Sequence, residues 1–226
     1  MSEPVPMRDV GPEQWADPAV TYDRVAAAYA ARFLHELADK PFDCEILTRF
    51  AAATRLGSRQ GHPVCDLGCG PGYIGAYLTS HGVEAVGIDV SAGMVAQARL
   101  AFPAMQFTQG DMTDLHIADG SFAGIVCFYA LIHVARAQVP AALGEMRRVL
   151  EPGGALLVAV HGGNGTLHAD EMAGQPADLH ATLFSLSELC SLMERAGFTI
   201  ADARSRAPYE SEHPTERLYV WATVRL

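Results

Sequence analysis

The most constraining feature of this sequence is a short apolar run that has an acidic residue near its end and is followed by three closely spaced glycines. The run is Val64-Cys-Asp-Leu, and the glycines are Gly68, Gly70 and Gly72. Glycine has no Cβ atom, so the backbone can turn sharply there and approach a ligand closely. A helix that starts after such a turn offers free N–H groups. The stretch therefore predicts a strand, a glycine turn and a helix that together form a ligand cradle.

Short apolar runs alternate with helical periods from His62 onwards. We predict strands at 64–67, 85–88, 105–108, 122–128 and 155–160, with helices between most of them and a turn at 151–154. Two further runs, at 198–203 and 218–224, predict a terminal pair joined by a hairpin loop. This alternation is typical of βα units in a parallel sheet. The expected fold class is α/β: a doubly wound, Rossmann-like, mostly parallel seven-stranded sheet with an antiparallel C-terminal strand hairpin and an N-terminal helical cap.

Two helices are predicted before the glycine stretch. Apolar and aromatic side chains recur at a four-residue step and mark one helix face: Val25, Tyr29, Phe33 and Leu37. A second helix is expected to begin at Asp43 as its N-cap, and residues 1 to about 18 are expected to form a loose arm. We therefore divide the chain into an arm and helical cap at 1–58 and a ligand-binding domain at 59–226, within a single domain overall.

Two later segments have no clear period. Residues 161–182 are rich in Gly, Ala, His and Asp, and a segment of this length is more often a lid or substrate loop than a simple connector. A helix capped by Ser187 is expected to follow and to end at Ala196. We interpret 208–217 as a solvated hairpin loop. The alternative is that its side chains line a pocket, in which case the candidates are Tyr209, Glu210, Glu212 and His213.

Acidic residues follow the second and third predicted strands. Asp89 lies 21 residues after Gly68, close to the spacing of about 20 at which a carboxylate reaches a ribose diol. Asp111 follows the third strand, where it could accept a hydrogen bond from an adenine amino group. The segment from Gly70 to Gly75 also satisfies the GxGxxG pattern of dinucleotide-binding proteins. From these residues alone, an adenosyl compound and a nicotinamide dinucleotide are both possible ligands.

The block Asp66-Leu-Gly-Cys-Gly-Pro-Gly72 is similar to motif I of the class I S-adenosylmethionine-dependent methyltransferases. In that family the motif is an acid, an apolar residue and three glycines at alternate positions. Asp89, the step Gly110-Asp-Met112 and the turn Arg148-Val-Leu-Glu-Pro-Gly-Gly154 resemble the later motifs of the family in the same order. The resemblance covers roughly 60–160. Within the family, the chain resembles the small-molecule branch that includes the ubiquinone-type enzymes, also called type 11.

The resemblance implies S-adenosylmethionine as the cofactor and S-adenosylhomocysteine as its product. It implies that Asp66 and the turn 68–72 surround the methionyl portion, and that Asp89 holds the ribose. Asp111 and the Met112 backbone would hold the adenine, with Met94 against its ring. The cofactor contacts implied in this part of the chain are Asp66, Gly68, Cys69, Gly70, Pro71, Gly72, Asp89, Val90, Met94, Asp111, Met112 and Phe128.

In members of this family the N-terminal helix often folds over the cofactor. The resemblance therefore implies that Tyr22, Tyr29 or Arg32 holds the methionyl carboxylate, and the alternative is that these side chains only pack. Phe128 or Tyr129, at the tip of the fourth strand, would close the pocket near the transferable methyl group.

Three residues are candidates for catalysis. His161 ends the fifth predicted strand, where a general base could face the acceptor. Tyr129 is placed near the methyl group by the resemblance. His133 lies in the apolar segment Leu131-Ile-His-Val134, where a histidine bonded within the structure is the alternative to a catalytic one.

Composition limits the partners that we expect. Sixteen Lys and Arg residues stand against 26 Asp and Glu residues, for a net charge of −10, which disfavours nucleic acid as a partner. The cysteines form no CxxC pair, so we expect no metal site. Met1 to Pro18 contains no apolar signal region, and no later stretch reaches the ~20 apolar residues of a membrane span. We expect a cytoplasmic monomer or homodimer that acts on a small-molecule methyl acceptor, with no membrane partner.

Other functions remain as alternatives. An NAD(P)-dependent oxidoreductase fits the GxGxxG pattern, but Lys40 is the sole lysine of the sequence, which argues against a short-chain dehydrogenase. A non-catalytic S-adenosylmethionine-binding module is the second alternative. A DNA amino-methyltransferase is disfavoured because Phe128-Tyr-Ala-Leu131 stands where that group has an Asn/Asp-Pro-Pro-aromatic motif.

Overall fold

A computed structural model describes residues 15–57 and 61–225 of the chain. The α-helices are α1 (Pro18–Phe33), α2 (Pro41–Gly57), α3 (Tyr73–Ser80), α4 (Ala92–Ala101), α5 (Val139–Val149) and α6 (Leu186–Arg195). The strands are β1 (Val64–Leu67), β2 (Ala85–Asp89), β3 (Gln106–Gln109), β4 (Phe122–Phe128), β5 (Leu150–His161), β6 (Thr166–Met172), β7 (Gln175–Thr182), β8 (Phe198–Arg206) and β9 (Arg217–Val224). Most of the predicted arm, residues 1–14, lies outside the described residues.

Seven strands form one sheet in the order β3-β2-β1-β4-β5-β9-β8. Strands β1 to β5 run parallel to one another, whereas β9 is antiparallel to both β5 and β8. This confirms the predicted fold class, including the antiparallel terminal pair. The direction of winding reverses between β1 and β4, so the loops after these strands diverge and leave a crevice at the carboxyl edge. Among the described helices, none is long and apolar enough to cross a bilayer.

Helices cover both faces of the sheet. Every residue of β4 is buried, as expected for a central parallel strand. Leu47 and Phe50 of α2 pack with residues of β1, β4 and β5 in one core cluster. Met146 of α5 and Met193 of α6 belong to a second cluster. Because each such side chain stabilises the fold by roughly 1.5–3 kcal/mol when buried, these contacts fix the sheet edge on which the ligand site is built.

The second and sixth helices begin elsewhere than the sequence predicts. Helix α2 starts at Pro41, so the prediction that Asp43 is its N-cap is wrong. Asp43 lies inside the first turn, where 1% of its surface is exposed. Its side chain accepts hydrogen bonds from Tyr219 and Arg206 and therefore does not cap the helix. Helix α6 is capped by Ser185, whose Oγ accepts a 3.2 Å bond from the N–H of Glu188, and the predicted cap at Ser187 is also wrong.

The predicted turn at 151–154 lies within β5. The pairing of β4 with β5 shifts between Phe122↔Leu150 and Gly124↔Ala155, so the extra residues form an irregularity of the strand. Gly153 permits it with a φ of +80°. The turn residues therefore bend a strand here, and the prediction that they separate a helix from a strand beginning at 155 is wrong.

The segment predicted to be an irregular lid is instead a hairpin, β6–β7. Its connection consists of Ala173 and Gly174, with φ of +52° and +75°, the sign that a two-residue type I′ turn requires. This hairpin is not predicted from the sequence because its strands are only partly buried and do not alternate between apolar and polar residues. The turn nevertheless reaches the cavity described below, as expected of a lid.

Helix α1 covers the carboxyl edge of the sheet. It is capped by Asp17, whose side chain accepts a 2.9 Å bond from the N–H of Ala19. Asp23 of α1 accepts a 2.6 Å bond from Ser91 Oγ at the start of α4. On the other side, Thr21 donates a 3.0 Å hydrogen bond to the carbonyl of Asp178 in β7. The helix is thus held to the sheet domain on one side and to the hairpin on the other.

Candidate functional site

A cavity of about 580 Å³ lies at the carboxyl edge, in the crevice between β1 and β4 and beneath α1. All but one of the residues predicted from the sequence to form the site line it. They are Tyr22, Tyr29, Arg32, Asp66, Gly68, Cys69, Gly70, Pro71, Asp89, Val90, Met94, Asp111, Met112, Phe128, Tyr129, His133 and His161. Gly72 is the exception. The fold therefore brings together side chains that are distributed over most of the sequence.

The protein surroundings of the glycine turn leave no room for side chains at two of its positions. A Cβ atom on Gly68, whose φ is +74°, would lie 2.1 Å from the Cβ of Ala130. A Cβ on Gly72, with a φ of +87°, would lie 2.8 Å from the ring of Phe107. Gly72 thus permits the start of α3 to pack closely on the sheet, and the structure places it outside the cavity lining.

Asp66 is buried at the end of β1, with 1% of its surface exposed. Its Oδ2 accepts a 2.8 Å hydrogen bond from the N–H of Gly75 in the first turn of α3. Burial raises the pKa of this carboxyl to about 7, and the Gly75 hydrogen bond opposes that shift. Asp66 therefore both fixes the turn and offers the cavity a carboxylate that can change its charge near neutral pH.

Asp89 ends β2 with 8% of its surface exposed. Its Oδ2 accepts a 2.8 Å bond from the N–H of Gly70, and its Oδ1 accepts a 2.9 Å bond from the N–H of Ser91. Burial raises its pKa from the usual value, and these two bonds oppose the rise. Each carboxylate oxygen can accept more than one hydrogen bond, so Asp89 is held rigidly while it can still accept from a diol.

The region expected to hold an adenine combines polar and apolar groups. Asp111 is exposed, and its Oδ1 accepts 2.8 Å bonds from both the N–H and the hydroxyl of Thr113. Met94, in the first turn of α4, is 1% exposed, and Met112 is half-buried. A flat aromatic ring can pack against these thioether side chains, while a carboxylate at the rim can accept from an amino group.

His133 makes hydrogen bonds through both ring nitrogens. Its Nδ1 lies 2.8 Å from the carbonyl oxygen of His180, which can only accept, so Nδ1 carries the proton. Its Nε2 lies 2.8 Å from the hydroxyl of Tyr22 and accepts from it. Burial lowers the pKa of the ring, which keeps it neutral. This geometry favours a positioning role for His133, which joins α1 to β7, over proton transfer.

The other two candidate residues of α1 are Tyr29 and Arg32. Tyr29 contacts Tyr22 edge to face at 5.8 Å between ring centroids. Arg32 is exposed, and its Cζ atom lies 5.2 Å from the centroid of the Phe33 ring. Both line the cavity, so the helix presents an aromatic wall with a guanidinium at its rim.

Tyr129 adopts a φ of +53° directly after β4, a strained value for a non-glycine residue. Its ring is flanked by two cations: Lys40 Nζ at 5.6 Å and Arg217 Cζ at 5.7 Å from the centroid. Its hydroxyl donates a 3.0 Å bond to the oxygen of Tyr219, since Tyr219 donates its own proton to Asp43. The side chain is therefore fixed by a buried hydrogen-bond network.

His161 lies at the end of β5, with its ring 5.2 Å from that of Tyr129. Its Nδ1 is 2.8 Å from the hydroxyl oxygen of Thr215, which also accepts a 2.7 Å bond from Arg217. Burial, and after it the positive charge of Arg217, lower the pKa of His161 to about 3. The imidazole is therefore neutral at physiological pH.

The solvated interpretation of 208–217 is wrong for Glu212 and Arg217, whose side chains are buried, whereas Glu210 and Glu216 are exposed as that interpretation expects. The side chain of Glu212 is 3% exposed and accepts a 2.7 Å bond from Arg206. Lys40, itself 7% exposed, lies 2.5 Å from Glu36 and 3.2 Å from Glu212. Sequence reasoning missed Glu36 and Lys40, although their i, i+4 spacing is a signal for the pair. Glu212 and His213 are among the pocket candidates of the alternative interpretation, and both line the cavity. The missed lining residues include Glu36, Lys40, Tyr73, Ser211 and Arg217.

Comparison with known proteins identifies methyltransferases as relatives of this chain. A sequence profile described as a methyltransferase domain matches residues 64–154. A demethylmenaquinone methyltransferase of Beutenbergia cavernae is 43% identical over 113 residues, which cover 50% of this chain and 46% of the relative. A malonyl-[acyl-carrier protein] O-methyltransferase of Erwinia billingiae is 35% identical over 123 residues, covering 54% and 48%. The chain thus spans about half the length of these two relatives.

A further relative is matched over more of its length. An uncharacterized methyltransferase of Synechocystis sp. is 32% identical over 149 residues, which cover 64% of this chain and 70% of that protein. Among solved structures, the CcbJ methyltransferase from Streptomyces caelestis superposes with a TM-score of 0.71 at 17% identity, covering 93% of this chain and 100% of the other. At that identity, the structural likeness supports the fold alone.

Proposed function

This chain belongs to the class I S-adenosylmethionine-dependent methyltransferases, and from this premise we propose that it methylates a small-molecule acceptor by in-line displacement. The supporting observation is one continuous cavity, with Asp66 and Asp89 at one end and Tyr129 and His161 at the other. Its volume of about 580 Å³ falls within the roughly 300–1,000 Å³ of small-ligand sites. Family membership argues against the oxidoreductase interpretation of the glycine pattern.

The residues at the first end fit the cofactor of the family. Asp89 would accept hydrogen bonds from the ribose diol, and Asp66 would face the positively charged methionyl portion. Asp111 would accept from the adenine amino group, with Met94 against the ring. When bound, S-adenosylmethionine supplies a methyl group on a cationic sulfur atom, which makes it transferable to a nucleophile. We assign these contacts because the carboxylates of Asp66 and Asp89 are buried and rigidly bonded, and because all three carboxylates line the same cavity.

At the other end, the chain's own residues would orient the acceptor. The neutral ring of His161 can accept a hydrogen bond from an acceptor hydroxyl and so orient it, although its lowered pKa makes it a weak base. Tyr129 packs between Lys40 and Arg217, so its position is fixed before the acceptor arrives. Catalysis would then depend on holding the nucleophile in line with the transferable methyl group and on excluding water.

Several features favour a small acceptor. Helix α1 and the turn at Met172 and Ala173 line the cavity from above, which leaves little room for a polymer. The net charge of −10 opposes the binding of nucleic acid. Two relatives are named for unlike acceptors, demethylmenaquinone and malonyl-[acyl-carrier protein], so the search for an acceptor should include both phenol-like compounds and carboxylates.

The proposal is tested first by calorimetric titration and then by turnover. We expect S-adenosylmethionine and S-adenosylhomocysteine to bind and NADH not to bind. Methyl-labelled cofactor is then incubated with phenols, hydroquinones, carboxylates and a nucleic acid control, and transfer is expected to a compound of one of the small classes. Binding of the cofactor without transfer to any compound of these classes would favour a non-catalytic binding module instead.

A further inference from the structure

The β6–β7 hairpin brings two imidazoles and a carboxylate together outside the cavity. His168 and His180 are direct partners across the two strands, and their ring centroids are 4.6 Å apart. Asp178 precedes His180 by two positions, so both side chains lie on the same face of the strand. One ligand atom from each of the three side chains lies within 4.8 Å of the others. This is a group of nitrogen and oxygen ligands on a single face of the hairpin.

One of these ligand atoms is buried and has no hydrogen-bond partner. The side chain of His180 is 5% exposed, and its Nδ1 makes no hydrogen bond within the described residues. A buried polar atom without a partner is unfavourable by roughly 1–3 kcal/mol. The nearest carboxylate oxygen, Asp178 Oδ1, is 3.8 Å away, too far for a hydrogen bond. Trp15 stacks on the ring at 5.3 Å and contributes to its burial.

We propose that the hairpin binds a divalent first-row transition metal ion, with Zn²⁺ as the best match, through His168, Asp178 and His180. Zinc bonds to nitrogen and oxygen of about 2.0–2.2 Å place tetrahedral ligand atoms roughly 3.3 Å apart. The observed separations from Asp178 Oδ1, 2.9 Å to His168 Nε2 and 3.8 Å to His180 Nδ1, lie on either side of this value. Two imidazoles and a carboxylate also suit this class of ion.

The surroundings leave the fourth coordination position to solvent. The side chains of His168 and Asp178 are 35% and 57% exposed, so a water molecule can reach an ion held between them. From the sequence we expect no metal site, but that expectation rests on the spacing of the cysteines alone. The ligands here become neighbours only through the hairpin, which the sequence does not predict.

An ion at this position would stabilise helix α1 and hairpin β6–β7, which together form the cover of the cavity. The backbone carbonyl of His180 accepts the hydrogen bond from His133, and the carbonyl of Asp178 accepts the bond from Thr21 of α1. Fixing the two side chains on β7 therefore also fixes the strand to which α1 is bound. Because this site is separate from the cavity, the proposal does not rest on the proposed methyl transfer.

The test is a titration of chelator-treated full-length chain with Zn²⁺, followed by calorimetry and by thermal unfolding. We expect one ion to bind with a Kd below about 10 µM and the Tm to rise, since a ligand that binds only the folded state stabilises it. His168→Ala and Asp178→Asn should each weaken binding at least about tenfold and remove the rise in Tm. Both side chains are partly exposed, so circular dichroism should show an unchanged fold. His116→Ala, which removes an exposed histidine elsewhere, is the matched control and should bind as the unmodified chain does.

Two results would overturn the proposal. One is the absence of saturable Zn²⁺ binding to the unmodified chain. The other is binding that persists unchanged in His168→Ala and Asp178→Asn, which would place the ion elsewhere. A Co²⁺ titration identifies the type of ligand in the second case, because cobalt bound by nitrogen and oxygen alone lacks the thiolate charge-transfer band that cysteine ligands would give.

Discussion

The hydroxyl group of Tyr22 donates a hydrogen bond of 2.8 Å to Nε2 of His133, and the direction of this bond is fixed from the far side of the ring. Nδ1 of His133 must donate to the carbonyl of His180, so Nε2 has only a lone pair to offer. Helix α1, the loop after β4 and strand β7 are therefore connected through one neutral imidazole. The cover of the cavity depends on this connection.

Tyr22→Phe should weaken the attachment of helix α1 over the cavity. Loss of the hydroxyl leaves Nε2 of His133 buried without a donor, so we expect the free energy of unfolding to fall by about 1 kcal/mol. Cofactor affinity should fall several-fold, because α1 lies over the site. Tyr77→Phe is the matched control: it removes a hydroxyl that bonds Thr48 at 2.9 Å away from the cavity. Denaturant unfolding and calorimetry measure both effects. Equal cofactor affinity in the two variants would contradict a role for Tyr22 in closure.

Asp89→Ala should weaken S-adenosylmethionine binding by about 30-fold or more, equivalent to roughly 2 kcal/mol. The variant loses the acceptor for the ribose and also releases the N–H groups of Gly70 and Ser91 that hold the turn. Asp39→Ala, at an exposed position, is the control and should leave the affinity unchanged. Calorimetric titration gives both values. An unaltered Kd for Asp89→Ala would exclude the assigned ribose contact.

Cofactor affinity should depend on pH through Asp66. Burial raises its pKa to about 7, so the carboxyl is neutral below that pH and becomes an anion as the pH rises through it. Only the anion attracts the cationic cofactor, and binding should therefore tighten between about pH 6 and pH 8. Asp66→Asn should remove this increase. Titrations across the range test the assignment, and an identical pH dependence in the variant would assign the effect to another group.

The pH profile of turnover should show no contribution from His161. Its pKa of about 3, set first by burial and then by Arg217, keeps the ring neutral from about pH 5 to pH 8. His161→Gln should lower kcat if the ring orients the acceptor, while the shape of the profile stays the same. An inflection near pH 6.5 that disappears in the variant would show that the ring titrates in the working enzyme.

Gly68→Ala should destabilise the fold by more than about 2 kcal/mol, because the new Cβ would both clash with Ala130 and sit on a left-handed backbone. Gly144→Ala is the matched control. It lies within α5 with open space around it, and alanine there should be neutral or stabilising by up to about 1 kcal/mol. Urea unfolding of both variants measures the difference. Equal stability would mean that the turn relaxes without loss.

The central parallel strands could be predicted from the sequence because they are buried on both faces. Strand β4 coincides with the predicted run at 122–128, since every residue in it is apolar or small and is buried. Hairpin β6–β7 could not be predicted in this way, because most of its residues are exposed or only half-buried and its pairing depends on a two-residue turn. The pair Ala173-Gly174 is its one local signal, and Gly at the second position fits the type I′ turn.

Some residues of the site could likewise be predicted from the local sequence, whereas others depend on the tertiary fold. Asp66 and Asp89 are recognisable because each lies at the carboxyl end of a strand, so their position at the sheet edge is a local property. Asp43 and Tyr219 form a hydrogen bond although they lie 176 positions apart. Nothing near either residue in the sequence indicates this pairing. The buried polar network that supports Tyr129 is therefore a property of the tertiary fold.

The position of β9 between β5 and β8 has a consequence for the order of assembly. Strand β8 is made before β9 during translation, yet in the sheet it pairs with β9 and not with β5. Until residues 217–224 have left the ribosome, β8 has no neighbour and the edge of β5 stays open. An open edge of this kind can pair with another chain. We expect nascent chains that stall before this strand to be those most in need of a chaperone.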